Sequence, residues 1–331
     1  MQQGSSFLSR PDTPFDSSIR PQILSAFVGQ SSLRKRLSIL IKAAQGRNEL
    51  MGHCIFSGLP GLGKTTLAHI VAREMNVPLI LSSGPAIEKP GDLAGLLTNM
   101  QSGSVLFIDE IHRLPKNVEE YLYSAMEDFC IDLTLDSGPS ARSVRIDLVP
   151  FTLVGATTRM GLLSAPMRSR FISHLRVEPY GQKDLHSIIE RTAHLLNTEI
   201  TPEAALILAG CSRGTPRIAN HLLRWARDFS HAHSKEEIDS DMVNQALRMV
   251  GICPEGLNEV DQRLLSLVVK EYGGGPVGLQ TLAVALHEEA STIEEVHEPF
   301  LIQKGFLKRT LRGREATKSA QRYVDNRNSG Q

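Results

Sequence analysis

Short apolar runs alternate with amphipathic helical patterns along the first half of the chain. In residues 30–46 the apolar positions, beginning with Leu33, recur at the three- and four-residue spacing of a helix. The apolar runs predict four strands, at residues 53–57, 77–81, 104–108 and 151–155. A glycine-rich loop and a predicted helix over residues 64–75 follow the first strand. This alternation predicts an α/β fold with a parallel sheet covered on both faces.

One stretch, residues 130–148, interrupts this alternation. Apolar side chains occupy every second position on both sides of the turn-forming sequence SGPSAR, at Ile131, Leu133, Leu135, Val144, Ile146 and Leu148. A period of two around a turn predicts a β-hairpin, here between a helix and the next core strand. The hairpin is either an ordinary surface feature or an insertion whose apolar residues contact a partner protein, and the pattern leaves both interpretations open.

Helical patterns dominate the second half of the chain. Four helices are predicted, at residues 184–196, 201–211, 216–231 and 239–250. Thr201 and Pro202 form a favourable helix start, because threonine caps a helix N-terminus and proline fits its first turn. Beyond the sequence Pro254-Glu255-Gly256, further helical stretches are predicted at residues 261–271, 279–286 and 292–304. We expect a small all-helical second domain and a third domain that ends in a basic segment.

The composition is typical of a soluble globular protein. The chain has 331 residues, of which 41% are apolar and 22% are charged, and its 36 basic residues balance 36 acidic ones. These values argue against a disordered chain and against a wholly basic nucleic-acid coat protein. Four widely spaced cysteines without a CxxC pair argue against a disulfide framework or zinc site and favour a reducing cytoplasm. The N-terminus lacks the apolar core of a signal peptide, and no run is long enough to span a membrane, so we expect a cytoplasmic protein.

Residues 58–65, GLPGLGKT, match the phosphate-binding pattern GxxxxGK[ST] at every fixed position. The match lies between a predicted strand and a predicted helix, which is the context that this loop requires. Glycines such as Gly61 and Gly63 allow backbone N–H groups to approach phosphates, and the helix N-terminus adds the positive end of its dipole. We expect Lys64 to reach the β- and γ-phosphates, the Thr65 hydroxyl to coordinate Mg²⁺ and Thr66 to continue the cradle. The sequence therefore predicts a nucleoside triphosphate site.

Two carboxylates, Asp109 and Glu110, follow the third predicted strand. In α/β sheets ligands bind at the carboxyl ends of the strands, so both side chains are expected beside the P-loop. We expect Asp109 to hold Mg²⁺ through water and Glu110 to orient and polarise the attacking water. Together with the P-loop, this pair predicts hydrolysis of the nucleotide.

Two further segments carry candidate residues for the same site. Thr157 and Thr158 follow the fourth predicted strand, and either one is a candidate sensor of the γ-phosphate. Arg168 and Arg170 lie in the sequence Met167-Arg168-Ser169-Arg170-Phe171, on an expected exposed edge. The always-charged guanidinium suits the stabilisation of a spreading phosphoryl charge, and such an arginine typically comes from a neighbouring subunit. A surface ion pair is the alternative interpretation of this arginine.

The end of the chain is strongly basic. Residues 304–331 hold eight basic residues against Glu315 and Asp325, whereas residues 251–303 hold nine acidic residues against two basic ones. The zero net charge is therefore an average over unlike segments. A local charge of this size on a hairpin-like segment predicts contact with DNA phosphates. No interleaving of aromatic with basic residues suggests base stacking, so the contact is expected to be independent of base sequence. A solvated basic tail is the alternative.

Several longer strings together resemble one family. IDEIHRL, AMEDF, GPSARSVRIDLVPFTLVGATTR, GTPRIANHLLR, YGGGPVGLQTLA and EPFLIQKGFLKRTLRGR resemble the RuvB family, the hexameric AAA+ motors of bacterial Holliday-junction branch migration. The resemblance runs over nearly the whole chain. It departs at Leu59, where the family usually has proline, and after Arg170, where the family commonly has glycine after RF.

The resemblance implies a domain organisation and residue roles. It implies a large AAA+ ATPase domain at residues 1–180, a small helical lid domain at 181–252 and a winged-helix DNA-binding head at 253–331. It places Ile19 and Arg20 on the adenine side of the nucleotide, Tyr180 in the pocket at the lid hinge and Arg217 as a second sensor. Arg170 becomes the arginine finger supplied in trans. The same resemblance puts the segment Glu127, Asp128 and Phe129 near the nucleotide, the hairpin 130–148 on the partner RuvA, and Arg309, Arg312 and Arg314 in the basic DNA-contacting wing.

The resemblance also implies an activity. We expect an ATP- and Mg²⁺-dependent translocase that drives branch migration on duplex DNA with RuvA, and with the RuvC resolvase in a larger complex, in recombination, DNA repair and the SOS response. Two alternatives remain from the residues themselves. One is an ATPase of the clamp-loader or replication-initiator type, and the other is a DNA-binding switch that ATP only gates. Intact Asp109, Glu110 and Arg170 disfavour the switch.

Overall fold

The computed structural model describes residues 18–134 and 143–329. These residues divide into two compact units. The first, which we call the sheet unit, holds the residues up to Asp184 together with Thr215–Arg217. The second, the helical unit, holds Leu185–Gly214 and the residues from Ile218 onward.

The sheet unit alternates strands and helices, as the sequence predicts. Its helices are α1 (Ser31–Arg47), α2 (Lys64–Glu74), α3 (Pro90–Thr98), α4 (Lys116–Glu127) and α5 (Ala165–Arg170). Its strands are β1 (Cys54–Ser57), β2 (Leu79–Ser83), β3 (Val105–Asp109), β4 (Cys130–Thr134), β5 (Ser143–Asp147), β6 (Thr152–Thr157) and β7 (Ser173–Arg176). The four predicted core strands are confirmed, with ends that move by one or two residues.

A five-stranded sheet in the order β2-β3-β6-β1-β7 forms the centre of this unit, and all its neighbouring strands are parallel. The edge strand β7 was not among the predicted strands. Its sequence, SHLR, has a single buried residue, Leu175, so it lacks the apolar run by which the other strands are recognised. The α/β fold class with a parallel sheet is confirmed.

The core of the sheet unit lies on the inner strands. Phe56 on β1 and Phe107 on β3 are buried, and Ile108 packs with apolar residues of α3 and α4 such as Leu93 and Leu122. Burying one such side chain stabilises a fold by about 1.5–3 kcal/mol. Buried strands held between helices make a rigid platform, and that platform positions the loops at the carboxyl ends of the strands.

The hairpin predicted at residues 130–148 is present. β4 and β5 pair antiparallel, with Cys130 opposite Asp147 and Ile131 opposite Ile146. Ile131 is buried and Ile146 packs against the core, whereas Val144 is exposed. Residues 135–142, including the SGPSAR turn and Leu135, lie outside the described residues.

The second half of the chain is mainly helical, as predicted. Its helices are α6 (Gln182–Leu195), α7 (Pro202–Cys211), α8 (Pro216–Ala232), α9 (Ser240–Met249), α10 (Glu259–Ser266), α11 (Leu279–Leu286), α12 (Ala290–Thr292), α13 (Glu298–Gln303) and α14 (Lys318–Ser329). The last of these, α14, was not among the predicted helices. π-helical turns at Leu267–Glu271 and Ile293–His297 extend α10 and join α12 to α13. The Thr201 side chain accepts a hydrogen bond from the N–H of Ala204 at 3.2 Å, so the predicted cap of α7 is confirmed.

Two pairs of short strands complete the helical unit. β8 (Glu199–Ile200) and β9 (Glu237–Ile238) pair in parallel between the helices. β10 (Leu307–Thr310) and β11 (Gly313–Ala316) form an antiparallel hairpin near the chain end, and Val277 bridges to Arg314 beside it. Helices followed by this hairpin give the expected winged-helix arrangement. The exact domain boundaries at residues 180 and 252 stay predictions.

Within the helical unit, a buried charged network joins the turn after α7 to the helices that follow. Asp261, on α10, accepts a hydrogen bond from the guanidinium of Arg213 with one carboxylate oxygen. Its other oxygen lies 2.6 Å from Nδ1 of His297. Asp261 is fully buried, and Arg213 and His297 nearly so. The Asp261 carboxylate and the Arg213 guanidinium are therefore paired inside the fold, which buried charges require.

The structure also shows the lengths of the apolar helices and the state of the cysteines. None of the helices in the described residues is long and apolar enough to cross a membrane. All four cysteines are free, and three of them are buried. Burial raises the pKa of the Cys54 thiol to about 12, which keeps it protonated and unreactive.

Candidate nucleotide site

The loop between β1 and α2 turns sharply at its glycines. Gly58, Gly61 and Gly63 all have positive φ, at 152°, 75° and 97°. A Cβ added at Gly61 would lie 2.7 Å from Cγ2 of Thr215 and 3.0 Å from Cβ of Arg217. The P-loop therefore needs glycine at this position both for its backbone conformation and for the close approach of the segment Thr215–Arg217.

Lys64, the first residue of α2, is buried, and its ammonium donates to the carbonyl oxygens of Gly58 and Leu59 at 2.9 Å each. Burial lowers the pKa of Lys64 to about 8, and the negative charge of Asp109 opposes the shift. The hydrogen bonds of this cation go to neutral carbonyls of a glycine-rich loop, so its charge can pair with a further anion. Phosphate groups are such anions, and these residues therefore fit the polyphosphate of a nucleotide.

Asp109 lies at the carboxyl end of β3, and its Oδ1 accepts the N–H of Glu110 at 2.9 Å. Burial raises the pKa of Asp109, and Lys64 acts in the opposite direction. Glu110 has a left-handed backbone, with φ 47°, and its carboxylate accepts from the Arg113 guanidinium at 2.8 Å. The carbonyl of Glu110 would lie 2.4 Å from a Cβ added at Gly84. Gly84 after β2 therefore makes room for the unusual turn that presents Glu110.

Thr157 and Thr158, the two candidate sensors, differ in their surroundings. Thr157 ends β6 opposite Ser57 of β1, and it is fully buried. Its hydroxyl lies 2.9 Å from Nδ1 of His112 and accepts the N–H of Arg159 at 3.0 Å. Thr158 is half-buried at the same sheet edge. The Thr157 hydroxyl is thus engaged within the fold, which favours Thr158 as the residue that meets a phosphate.

The segment before α1 packs on the P-loop helix. Ile19 is buried, and the guanidinium of Arg20 donates to Nε2 of His69 on α2 at 3.1 Å. Further along, Tyr180 is buried and its hydroxyl donates to the carbonyl of Leu62 in the P-loop at 3.3 Å. Burial also raises the pKa of Tyr180, which keeps its hydroxyl neutral. Arg20 and Tyr180 thus contact the P-loop helix and the P-loop, and the expected place of these residues on the base side of a nucleotide stays a prediction.

Arg217 belongs to the sheet unit although it lies in the first turn of α8, most of which belongs to the helical unit. Its backbone N–H donates to the carbonyl of Gly61 at 3.4 Å. Its positive charge also contributes to the lowered pKa of Lys64. Both observations put Arg217 beside the P-loop, as expected for a residue that contacts the phosphates.

Arg170, the last residue of α5, is folded back on its own chain. Its guanidinium donates to the Glu127 carboxylate at 3.0 Å and to the carbonyl of Pro166 at 2.9 Å, and it lies 4.3 Å from the centre of the Tyr123 ring. Only 20% of its side chain is exposed. The surface ion pair that the sequence left open is thus present within this chain.

The two residues after Glu127 lead into the hairpin. Asp128 is exposed, and Phe129 is half-buried with a left-handed backbone and its ring 5.9 Å from that of Phe151. The expected role of these three residues near a nucleotide stays a prediction.

The basic hairpin of the helical unit presents its arginines differently. Arg309 is exposed and pairs with Glu294 at 2.8 Å, and Arg312 is exposed in the turn. Arg314 is buried, and its guanidinium donates to the buried carboxylate of Glu298. A DNA contact by Arg314 would have to replace this carboxylate. Its DNA role therefore stays a prediction, with weaker support than that of Arg309 and Arg312.

Three family models together match almost the whole described chain. The model of the Holliday junction DNA helicase RuvB P-loop domain matches residues 19–177, that of the RuvB AAA lid domain residues 180–253, and that of the RuvB C-terminal winged helix domain residues 254–325. The chain belongs to the RuvB family.

Individual relatives of the RuvB family agree with this assignment. Proteins named Holliday junction branch migration complex subunit RuvB include one from Protochlamydia amoebophila, 54% identical over 317 residues, which are 96% of either chain. The relative from Staphylococcus haemolyticus is 53% identical over 97% of either chain. The solved structure of the Thermotoga maritima RuvB Holliday junction branch migration motor matches with a TM-score of 0.85 and 47% identity, and covers 93% of this chain and 98% of its own.

Sequence reasoning missed several residues that hold this RuvB-family site together. His112 and Arg113 follow the recognised pair Asp109 and Glu110, and their contacts depend on the turn at Glu110. Tyr123 lies four residues before Glu127 on α4, so helical spacing alone places the two side chains on one face. The approach of Arg170 to that face depends on tertiary packing and leaves no signal in the sequence.

Proposed function

We propose that this chain is an ATP-driven motor subunit that moves the branch point of Holliday junctions in recombination and DNA repair. One observation carries the proposal. The buried Lys64 of the P-loop and the carboxylates Asp109 and Glu110 lie at the carboxyl edge of one parallel sheet, in a chain that matches the RuvB family along nearly its entire length. Membership of the family supports hydrolysis that does mechanical work.

In this proposal each residue of the site has one task. The P-loop backbone and Lys64 bind the phosphates, and the Thr65 hydroxyl with Asp109 holds Mg²⁺, which neutralises phosphate charge. Glu110 orients and polarises the attacking water after it leaves Arg113. Thr158 and Arg217 contact the γ-phosphate from the sheet edge and from the start of α8. Ile19, Arg20 and Tyr180 surround the base.

We assign Arg170 to the nucleotide of a neighbouring subunit in a homohexameric ring. Its guanidinium contacts Glu127, Pro166 and Tyr123 rather than a residue of the P-loop, which supports this assignment. Removing an arginine finger lowers turnover by about 10³–10⁵ in other phosphoryl-transfer enzymes. Arg170→Ala and Lys64→Ala proteins should each be inactive alone and should regain part of the ATPase activity when mixed, because some interfaces then combine an intact P-loop with an intact finger. Mixtures that stay inactive would contradict a shared site.

The proposal extends to partners. Exposed Arg309 and Arg312 contact DNA phosphates, and the hairpin of β4 and β5 binds RuvA, with RuvC joining a larger assembly in the cytoplasm. Exposure of Val144 on that hairpin supports a protein contact there. A clamp-loader or initiator ATPase and an ATP-gated DNA switch would both hydrolyse or bind ATP without migrating a junction. Separation of a synthetic four-way junction therefore distinguishes the three functions.

A further inference from the structure

A connected set of contacts holds the guanidinium of Arg170 in place. Tyr123 on α4 lies under it, with the guanidinium carbon 4.3 Å from the ring centre. The same tyrosine contacts the helix that carries Arg170, because its hydroxyl lies 2.8 Å from Oγ of Ser164, the N-cap of α5. Tyr123 thus contacts both the charged end of Arg170 and the start of its helix.

The hydrogen bonds of Ser164 determine the direction of this contact. The Ser164 hydroxyl donates its single proton to the Glu119 carboxylate, and its oxygen accepts the N–H of Met167 at 3.1 Å. With that proton in use, the Tyr123 hydroxyl is the donor to Ser164. The ring of Tyr123 is therefore held at one end by α4 and at the other by the cap of α5, and in this position its face lies against the Arg170 guanidinium.

Two other groups complete the support, and they differ in kind. The carbonyl of Pro166 is a neutral acceptor that belongs to α5 itself. The Glu127 carboxylate is exposed and charged, so a more highly charged phosphate competes with it for the guanidinium. When Glu127 is displaced, the ring and the carbonyl remain in place. The Arg170 side chain is then already ordered, so binding a phosphate costs little further side-chain entropy.

We propose that Tyr123 is the positioning residue of the arginine finger: its ring holds the Arg170 guanidinium oriented for the phosphates of the neighbouring subunit while Glu127 occupies it at rest. This inference rests on the proposed function, in which Arg170 acts in trans. It concerns the ring face rather than the hydroxyl, since the cap of α5 keeps its contacts with Glu119 and Met167 without Tyr123. The ring face is therefore the property that substitutions should test.

The experiment measures steady-state ATPase activity of the full chain with DNA. A cation–π contact at a partly buried site corresponds to about tenfold in turnover. Tyr123→Leu should lower kcat by about this factor with little change in KM for ATP, because its own P-loop is untouched. Tyr123→Phe should retain most of the activity. Equal turnover of the Leu variant and the wild type, or equal loss in the Leu and Phe variants, would overturn the proposal.

Mixed rings separate positioning from damage to the fold. Tyr123→Leu mixed with Lys64→Ala should regain activity, because the Lys64→Ala subunit supplies an intact finger, whereas Tyr123→Leu mixed with Arg170→Ala should not. If the Leu variant does not fold, Tyr123→Met makes the same test. Recovery in the Arg170→Ala and Lys64→Ala control mixture without recovery of the Tyr123 variant would overturn the role of Tyr123 alone. Failure of the control mixture would overturn the shared site itself.

Discussion

The ammonium of Lys64 lies 2.9 Å from the carbonyl oxygen of Leu59 in the P-loop, the loop that is expected to bind phosphate. Burial of this cation lowers its pKa to about 8. A polyphosphate brought next to it favours the charged form and raises the pKa again. We therefore expect Lys64 to accept a proton when a nucleotide binds above about pH 8.

At pH 8.5, binding of ATP should take up a fraction of a proton, whereas at pH 6.5, where Lys64 is already charged, this uptake should vanish. Calorimetric titrations in buffers of different ionisation enthalpy measure it. Lys64→Arg is the matched control, because a guanidinium stays charged at both pH values, and equal uptake by that variant would contradict the assignment.

The lowered pKa of Lys64 also affects stability. Between about pH 8 and 10.5 the unfolded chain binds more protons than the folded chain does, so the contribution of Lys64 to the free energy of unfolding increases as the pH rises.

Substitution of the two sensor candidates should have different effects. Thr157→Val removes a buried hydroxyl that accepts the N–H of Arg159 and contacts His112, and should cost about 1–3 kcal/mol of stability. Thr158→Val should leave the thermal unfolding temperature near that of the wild type and lower ATP turnover. Unfolding and ATPase measurements on both variants check this. If the loss of turnover in Thr158→Val is fully explained by its loss of stability, the sensor role is contradicted.

The Asp261 network predicts a large loss of stability in the helical unit. Asp261→Asn leaves the buried Arg213 and His297 without their common carboxylate, and breaking a buried ion pair costs about 3–5 kcal/mol. Chemical denaturation measures the change. Glu49→Gln is the control, because its partner Arg47 and Glu49 itself are both more than half exposed, and exposed pairs contribute about 0–1 kcal/mol. Similar losses for both variants would contradict the network.

The exposed arginines of the wing predict a salt-dependent effect on DNA. Arg309→Ala with Arg312→Ala should weaken duplex binding and reduce the slope of log K against log salt by about 1.8, at roughly 0.9 per phosphate contact. Fluorescence anisotropy between low and moderate salt measures the slope. Arg314→Ala should instead destabilise the domain, because it leaves Glu298 buried without its partner. An unchanged slope in the double variant would remove the wing from the DNA surface.

Periodicity and the P-loop pattern predicted most of the fold and the centre of the site. The core strands are apolar runs, and the ligand-binding edge follows from their parallel arrangement, so Lys64, Asp109 and Glu110 could be placed together. The strand β7 was not predicted, because three of its four residues are not buried and it has no apolar run. The choice between Thr157 and Thr158 needed the side-chain contacts of His112, and the burial of Arg314 needed Glu298, which is 16 residues away in sequence. Contacts across such distances depend on packing and have no local signature.

The central claim is that ATP hydrolysis at this site moves a DNA junction, and the most direct measurement follows a labelled synthetic four-way junction with RuvA and ATP. The wild-type chain should separate the junction into duplex products only with hydrolysable ATP. Glu110→Gln should bind ATP and DNA but separate none, because the water is no longer polarised and general-base loss costs about 10²–10⁴ in rate. Junction separation by Glu110→Gln at the wild-type rate, or by the wild type with a non-hydrolysable analogue, would contradict the claim.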